Sequence, residues 1–301
     1  MHKPMDSSKA TLITILRDRV GKLCEEGNFT EAMHAANAAV EKAEQELSSD
    51  LDSIELFAMT LEVRGDLYRN ASELEQARDD YRQAIDQLNN RVDRSPQLGR
   101  LHADLGAVHD ELDHADRAMH HWEVAISYFE KCTPPSSLDI AALSNNIAYL
   151  KKSQGEFEDA ENYLLKALEI LHRELGAQHD ETASVCNNLG ALYHQSGHYE
   201  QAREMHLMAL EARRELYGDI HLDTAQSYNN MALALMQTGD PELARQHFEC
   251  ALSALSECGP EAHQELVSVS ENYAEFLRLH GEDTAIPQVE NRVSQLLAQW
   301  A

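Results

Sequence analysis

Three asparagines recur at one interval: Asn145, Asn187 and Asn229 stand 42 residues apart. A carboxamide is both a hydrogen-bond donor and an acceptor. A row of them can therefore satisfy the N–H and C=O of an extended peptide whatever its side chains. The same row could instead bond neighbouring helices and hold a stack together, and both readings stay open at this point. Four and seven residues beyond each asparagine stand Tyr149 and Lys152, Ala191 and His194, and Leu233 and Met236. On a helix these positions share the asparagine's face. Tyr149, Leu233 and Met236 would offer apolar contact, the thioether adaptably so, and Lys152 and His194 could meet an acidic group.

Sixteen histidines invite a search for metal ligands. His120 and His121 are adjacent and point in different directions on a helix. His194 and His198 have Gly197 between them, and His109, Asp113 and His114 lie near a turn. None of this has the spacing of a metal site, so no metal and no cofactor is expected. The chain has no P-loop, G-x-G-x-x-G, G-x-S-x-G or H-E-x-x-H pattern. The expectation is a binding protein that is not an enzyme.

With 52 acidic and 25 basic side chains the formal net charge is −27. Such a surface repels nucleic-acid phosphates and anionic membranes. It favours a neutral or basic protein partner, or simply keeps long exposed helices solvated. Five cysteines, Cys24, Cys132, Cys186, Cys250 and Cys258, form no C-x-x-C pair. They read as reduced thiols. Met1 to Asp6 precede no apolar signal segment, and no run of about 18 apolar residues occurs. A cytoplasmic location is expected.

The asparagines sit inside a longer repeat. Asn145-Asn146-Ile147-Ala148 is followed by Gly155 and Ala160, Asn187-Asn188-Leu189-Gly190 by Gly197 and Ala202, and Asn229-Asn230-Met231-Ala232 by Gly239 and Ala244. The register extends to Gly281 at one end and through Ala118, Ala77 and Ala32 at the other, giving about seven units. Each unit reads as two helices. Apolar residues recur at helical spacing in the first, as in Cys186, Leu189, Gly190 and Tyr193. A turn follows, as at Ser196-Gly197-His198. The second helix carries a small–large–small triplet: Ala77/Tyr81/Ala84, Ala118/Trp122/Ala125, Ala160/Leu164/Ala167, Ala202/His206/Ala209 and Ala244/Phe248/Ala251. The small residues let helices approach and the large one fills the space toward a neighbour. Breakers separate the units, at Ser95-Pro96, Pro134-Pro135, Gly176, Gly218 and Gly259-Pro260. Residues 1–12 read as a disordered tail and 13–301 as a single array, strongest over 98–265, with a degenerate capping unit at 266–301. Arg64 stands where Leu105 and Leu189 stand, Lys151 where Tyr193 and Leu235 stand, and Ile286 replaces an alanine.

Gly190, Tyr193 three later and Ala202 twelve later resemble the tetratricopeptide repeat. Asn187-Asn188-Leu189-Gly190-Ala191-Leu192-Tyr193, Gly197-His198-Tyr199-Glu200-Gln201-Ala202 and the connector Leu175 to Ala183, echoed by Tyr217 to Ala225, resemble the 42-residue version found in kinesin light chains and their bacterial relatives. The resemblance covers about 13–301 and is strongest over 140–258. It implies an all-α fold: a right-handed superhelical solenoid of antiparallel helix pairs, whose first helices line a concave groove. It places Asn145, Tyr149, Lys152, Asn187, His194, Asn229, Leu233 and Met236 in that groove. In these relatives the asparagine ladder is associated with ligand binding. Asn188, the second of its pair, is expected to face a neighbouring helix. Asp104, Asp110 and Glu111 would make the upstream end acidic. Kinesin light chains carry heptads before their repeats and this chain does not, so no motor-adaptor role is implied.

These readings converge on a scaffold or adaptor that holds a peptide or protein segment in the groove. The alternative is a regulatory sensor whose superhelix changes shape on binding a peptide or metabolite. Joint loss of Asn187 and Asn229 is expected to weaken binding without unfolding the array. Self-association through the solenoid ends is a further possibility, hinted at by Trp300.

Overall fold

The computed structural model describes residues 7–89 and 95–300. They form helices and no strand. Contacts divide the chain into two compact units, Met1–Leu143 and Ser144–Ala301. The first contains α1 (Ser7–Glu25), α2 (Phe29–Gln45), α3 (Leu51–Asn70), α4 (Leu74–Leu88), α5 (Ser95–Glu111) and α6 (Ala115–Glu130). The boundary falls within α7 (Ser137–Ser153). The second unit continues with α8 (Phe157–Glu174), α9 (Asp180–Gln195), α10 (Tyr199–Tyr217), α11 (Leu222–Thr238), α12 (Pro241–Cys258), α13 (His263–Leu279) and α14 (Ile286–Trp300). Short 3-10 turns, Pro260–Ala262 and Asp283–Ala285, precede α13 and α14.

This is an all-α solenoid. In unit 1, α1 packs on α2, α3 on α4 and α5 on α6, and α2 and α4 each pack on the first helix of the next pair. Unit 2 repeats the scheme: α9 packs on α10, α11 on α12 and α13 on α14, with first helices also touching from α9 to α11 and from α11 to α13. The sequence reading starts the array at residue 13, whereas α1 already begins at Ser7. Residues 1–6 lie outside the described residues. The single array read over 13–301 is divided by contacts within α7.

One turn geometry closes every helix pair. Gly27, Ser72, Asp113, Gly155, Gly197, Gly239 and Gly281 occupy the same register and all have positive φ, from 59° to 86°. At each, the following residue's N–H returns to a carbonyl five residues back, as in His198 N to Tyr193 O at 2.7 Å and His114 N to His109 O at 2.8 Å. This is the Schellman arrangement that ends a helix through a left-handed residue. Glycine adopts it without strain, and Ser72 and Asp113 adopt it because the register demands it. The connector echo has a local cause too. His179 and His221 cap α9 and α11, their Nδ1 atoms accepting from the N–H of Glu181 at 3.3 Å and of Asp223 at 3.2 Å. Thr182 Oγ1 donates to Gly176 O at 2.8 Å.

The small–large–small triplets form the core. Their alanines are fully buried, and Tyr81, Trp122, Leu164, His206 and Phe248 are 4% exposed or less. At the C-terminus Ile286, Val289 and Val293 close the cluster built on Phe248, Tyr273 and Phe276, and Trp300 packs against it half-buried. Ile286 stands where the other units have alanine, and its larger side chain fills that cluster. By contrast, Gly21 lies mid-helix in α1, exposed, and a Cβ there would meet nothing within 4 Å. Gly21→Ala is expected to stabilise unit 1 by about 0.5–1 kcal/mol through backbone entropy alone. A urea titration would read it as a higher midpoint. A midpoint that falls would show that α1 is not a regular helix there.

Candidate functional site

The first helices of unit 2 decide what the asparagine ladder can do. Because α9 touches α11 and α11 touches α13, one face of each lies in a seam between repeats. Asn187 and Asn229 fall in that seam, each 8% exposed. Asn187 Nδ2 donates to Ser227 Oγ at 3.3 Å, and its Oδ1 lies 3.0 Å from His206 Nδ1. Asn145 Oδ1 accepts from Asn188 Nδ2 at 2.8 Å, and Asn229 Oδ1 accepts from Asn272 Nδ2 at 3.1 Å. All three first asparagines are thus bonded to neighbouring helices.

These bonds are the ones that the stack-holding reading of the row expects. Losing Asn187 would leave the buried His206 Nδ1 without this partner, so its removal costs stability as well. The second asparagine of each pair, about 100° further round the helix, takes the open face. Asn146 and Asn188 are exposed, and Asn230 and Asn272 half-buried. Asn188 does reach a neighbouring helix, α7, yet it remains at the surface.

The other candidates lie where solvent reaches them. Tyr149 is 65% exposed, with Lys152 Nζ 5.6 Å from its ring centre. His194 is half-buried against Tyr199, ring centres 5.4 Å apart, and burial lowers its pKa. Leu233 and Met236 are half-buried against the terminal cluster. A cleft of about 480 Å³ between α11 and α13 brings together Asn229 and Leu233 with Gln226, Asn230, Gln264, Glu265, Ser268, Val269 and Asn272. Tyr149, Lys152, His194 and Met236 do not line it. Of this lining only Asn229 and Leu233 were among the sequence candidates, and the other seven residues were not. The signal was present: the second asparagine recurs at 146, 188, 230 and 272, in four units, whereas the first recurs in three.

Beneath this face a polar chain crosses the stack. Arg213, 5% exposed on α10, donates from Nη1 to Ser227 Oγ at 3.2 Å and from Nη2 to Ser184 Oγ at 3.1 Å, with Asp180 Oδ1 3.5 Å from its Nε. Ser227 in turn meets Asn187, and Asn187 meets His206. Burial pushes the His206 pKa down to about 4, so it is a neutral ring at pH 7.

Unit 1 has a cleft of about 390 Å³ on its own first helices, lined by Arg17, Glu55, Met59, Glu62, Val63, Asp66, Pro96, Gln97 and Arg100. Nearby, Asp104 is pushed up to about 7, first by burial and then by Asp66 and Glu62. Of the acidic residues expected here, Asp104 belongs to this group. Glu111 is instead taken up by Arg69 at 2.6 Å, and Asp110 is exposed near the turn.

The family model for the tetratricopeptide repeat matches residues 139–215 and 187–257. Residues 139–257 are tetratricopeptide repeats. Among solved structures the array is similar to BtubC (BKLC) from P. vanneervenii, 27% identical, covering 75% of this chain and 90% of that one, with a TM-score of 0.65. It is similar in fold to the nearly identical repeats of a putative kinesin light chain from Podosopora anserina, at 16% identity, 68% and 97% coverage and a TM-score of 0.58. The C-terminal part of a repeat protein from Cytophaga hutchinsonii shares the fold at 16% identity, 93% and 95% coverage and a TM-score of 0.63. No curated protein matches the chain in sequence. Tetratricopeptide arrays are protein–protein interaction scaffolds and typically non-catalytic. Among the described residues no helix is long and apolar enough to cross a membrane. None of their His, Cys, Asp and Glu side chains group in threes able to hold a metal ion.

Proposed function

We propose that this protein is a non-catalytic cytoplasmic adaptor that holds a peptide or protein segment on the first-helix face of unit 2. The observation that carries this reading is the α11–α13 cleft. In a chain of net charge −27 it is lined by five carboxamides, Gln226, Asn229, Asn230, Gln264 and Asn272, and a single carboxylate, Glu265. Neutral groups that both donate and accept suit a peptide backbone. The Asn272–Asn229 bond uses one donor group and one acceptor, leaving Asn272 Oδ1 and Asn229 Nδ2 for a ligand. The Asn188–Asn145 bond leaves the same pair two seams earlier, between α7 and α9. Leu233 adds apolar contact in the cleft, and Tyr149, Lys152, His194 and Met236 would tune selectivity further along the face. The protein's helices present this surface already ordered, which lowers the cost of binding. The net charge argues against nucleic acid and anionic membranes as partners.

A random 12-residue peptide display library selected on the full chain tests this. Selected peptides should lose at least tenfold in affinity, about 1.4 kcal/mol, for an Asn230→Asp, Gln264→Glu double variant with unchanged helicity. They should keep their affinity for Leu207→Ser, on the exposed face of second helix α10. The reverse pattern would move the binding surface to the second helices and return the carboxamides to a structural role.

A further inference from the structure

The α5–α6 hairpin holds a column of five aromatic rings, four of them imidazoles. Tyr128 stacks on His102 with ring centres 5.7 Å apart, His102 on His121 at 5.2 Å, His121 on His109 at 5.4 Å, and His109 meets His114 at 5.6 Å. The column joins the two helices, since His102 and His109 belong to α5 and His121 and Tyr128 to α6. His102 Nδ1 and His121 Nδ1 are 3.0 Å apart, and the Nδ1 atoms of His109 and His114 are 3.4 Å apart. A nitrogen–nitrogen contact of this kind is a hydrogen bond only while one partner keeps its lone pair. A second proton turns it into two N–H groups facing each other.

The surroundings oppose that proton. Arg78 and Arg82 face the column from α4, Arg117 and His120 from α6, and His114 from the turn. Nearby carboxylates are otherwise engaged: Asp79 with Arg78, Asp80 with Arg64 and Glu111 with Arg69, while Asp104 stands beside Asp66. Asp116, Glu123 and Glu130 on α6, Asp110 near the end of α5 and Asp113 at the turn are the remaining carboxylates of the hairpin. α5 also carries Pro96, Gln97 and Arg100, one wall of the unit 1 cleft.

We propose that the α5–α6 hairpin is an acid-opened joint, in which proton uptake by the histidine column parts the two helices and dismantles the α5 wall of the unit 1 cleft. The inference concerns regulation of unit 1 and does not rest on the groove proposed in unit 2. The direction follows from linkage. Burial pushes His102 and His121 down to about 4, and lowers His109. Their stabilising contribution is complete above the ordinary histidine pKa of about 6.5 and falls away as the pH drops toward 4. Between pH 7 and pH 5 the opening equilibrium should rise roughly 20-fold for each of His102 and His121.

Hydrogen exchange followed by mass spectrometry on the full chain between pH 7.5 and 4.5, corrected for intrinsic rates, tests it. α3 is the internal reference, because Leu51–Asn70 contains no histidine. Peptides within 95–130 should gain at least 20-fold in opening at pH 5 relative to peptides of α3. Parallel behaviour of the two regions, or protection of 95–130 that persists to pH 4.5, would overturn the proposal. A His102→Phe, His121→Phe variant keeps the rings and removes their protons, and should lose the acid step in 95–130. An unchanged step in that variant would equally overturn it. Should the variant fail to fold at pH 7, the comparison of 95–130 with α3 in the wild type decides alone.

Discussion

Gly106→Ala is expected to destabilise unit 1 by about 2 kcal/mol, although alanine is the better helix former by about 1 kcal/mol. A Cβ on Gly106 would stand 2.4 Å from Cδ1 and 2.5 Å from Nε1 of Trp122. The indole cannot retreat: it is 2% exposed, flanked by the buried Ala118 and Ala125, and its Nε1 donates to Ala103 O at 3.1 Å. Overpacking of this kind costs about 1–3 kcal/mol or more. The repeats state the rule themselves, since the hairpin register sets residue i against i+16. Glycine faces the large polar-tipped ring in Gly65/Tyr81, Gly106/Trp122 and Gly190/His206. Alanine stands opposite leucine or phenylalanine in Ala148/Leu164 and Ala232/Phe248. Gly106→Ala combined with Trp122→Leu recreates the Ala148/Leu164 pair. Its loss in urea titrations should be smaller than the sum of the single losses by at least about 1 kcal/mol. Additive losses would mean that the close approach at Gly106 does not govern the choice of ring.

The same register explains what could and could not be read from the chain before its fold was known. The seven turns were legible because periodicity locates them, and Ser72 and Asp113 adopt positive φ by position although neither is glycine. The row of asparagines was legible, but not which member of each pair enters the seam. Adjacent residues on a helix differ by about 100°, and only the packing of α9 on α11 and α11 on α13 tells the two directions apart. The histidine column was not found because attention to local spacing pairs His120 with His121 and His109 with His114. His102 meets His121 across the hairpin, 19 residues away. His206 meets Asn187, and Trp122 meets Ala103, over the same interval. A search at i+16 and i+19 within each unit would have exposed all of these contacts, because an antiparallel helix pair with a fixed turn fixes its partners.

The departures from the repeat obey this logic, and one gives a result opposite to what consensus reasoning expects. Arg64 occupies the position of Leu105 and Leu189, so Arg64→Leu restores the commoner residue. We expect it to destabilise unit 1 by about 3–5 kcal/mol. Arg64 grips Asp80 with both arms of its guanidinium, Nε to Oδ2 at 2.7 Å and Nη2 to Oδ1 at 2.6 Å, and Nη1 reaches Asn37 at 3.2 Å. Asp80 is 5% exposed, and the leucine would leave its carboxylate buried without this partner. The cost arises from that orphaned charge, since an ion pair replaced whole by apolar side chains is often neutral or stabilising. In the repeat register Asp80 corresponds to Met205, and Leu189 with Met205 is a combination the chain already uses. Arg64→Leu with Asp80→Met should therefore regain most of the lost stability. Thermal melts of the two variants separate the accounts. A double variant as unstable as the single would mean that Arg64 is held for packing, through its stem and its position 5.8 Å over the Tyr68 ring. Recovery would identify Arg64 and Asp80 as a matched pair that entered the repeat together, its two members explicable only by each other.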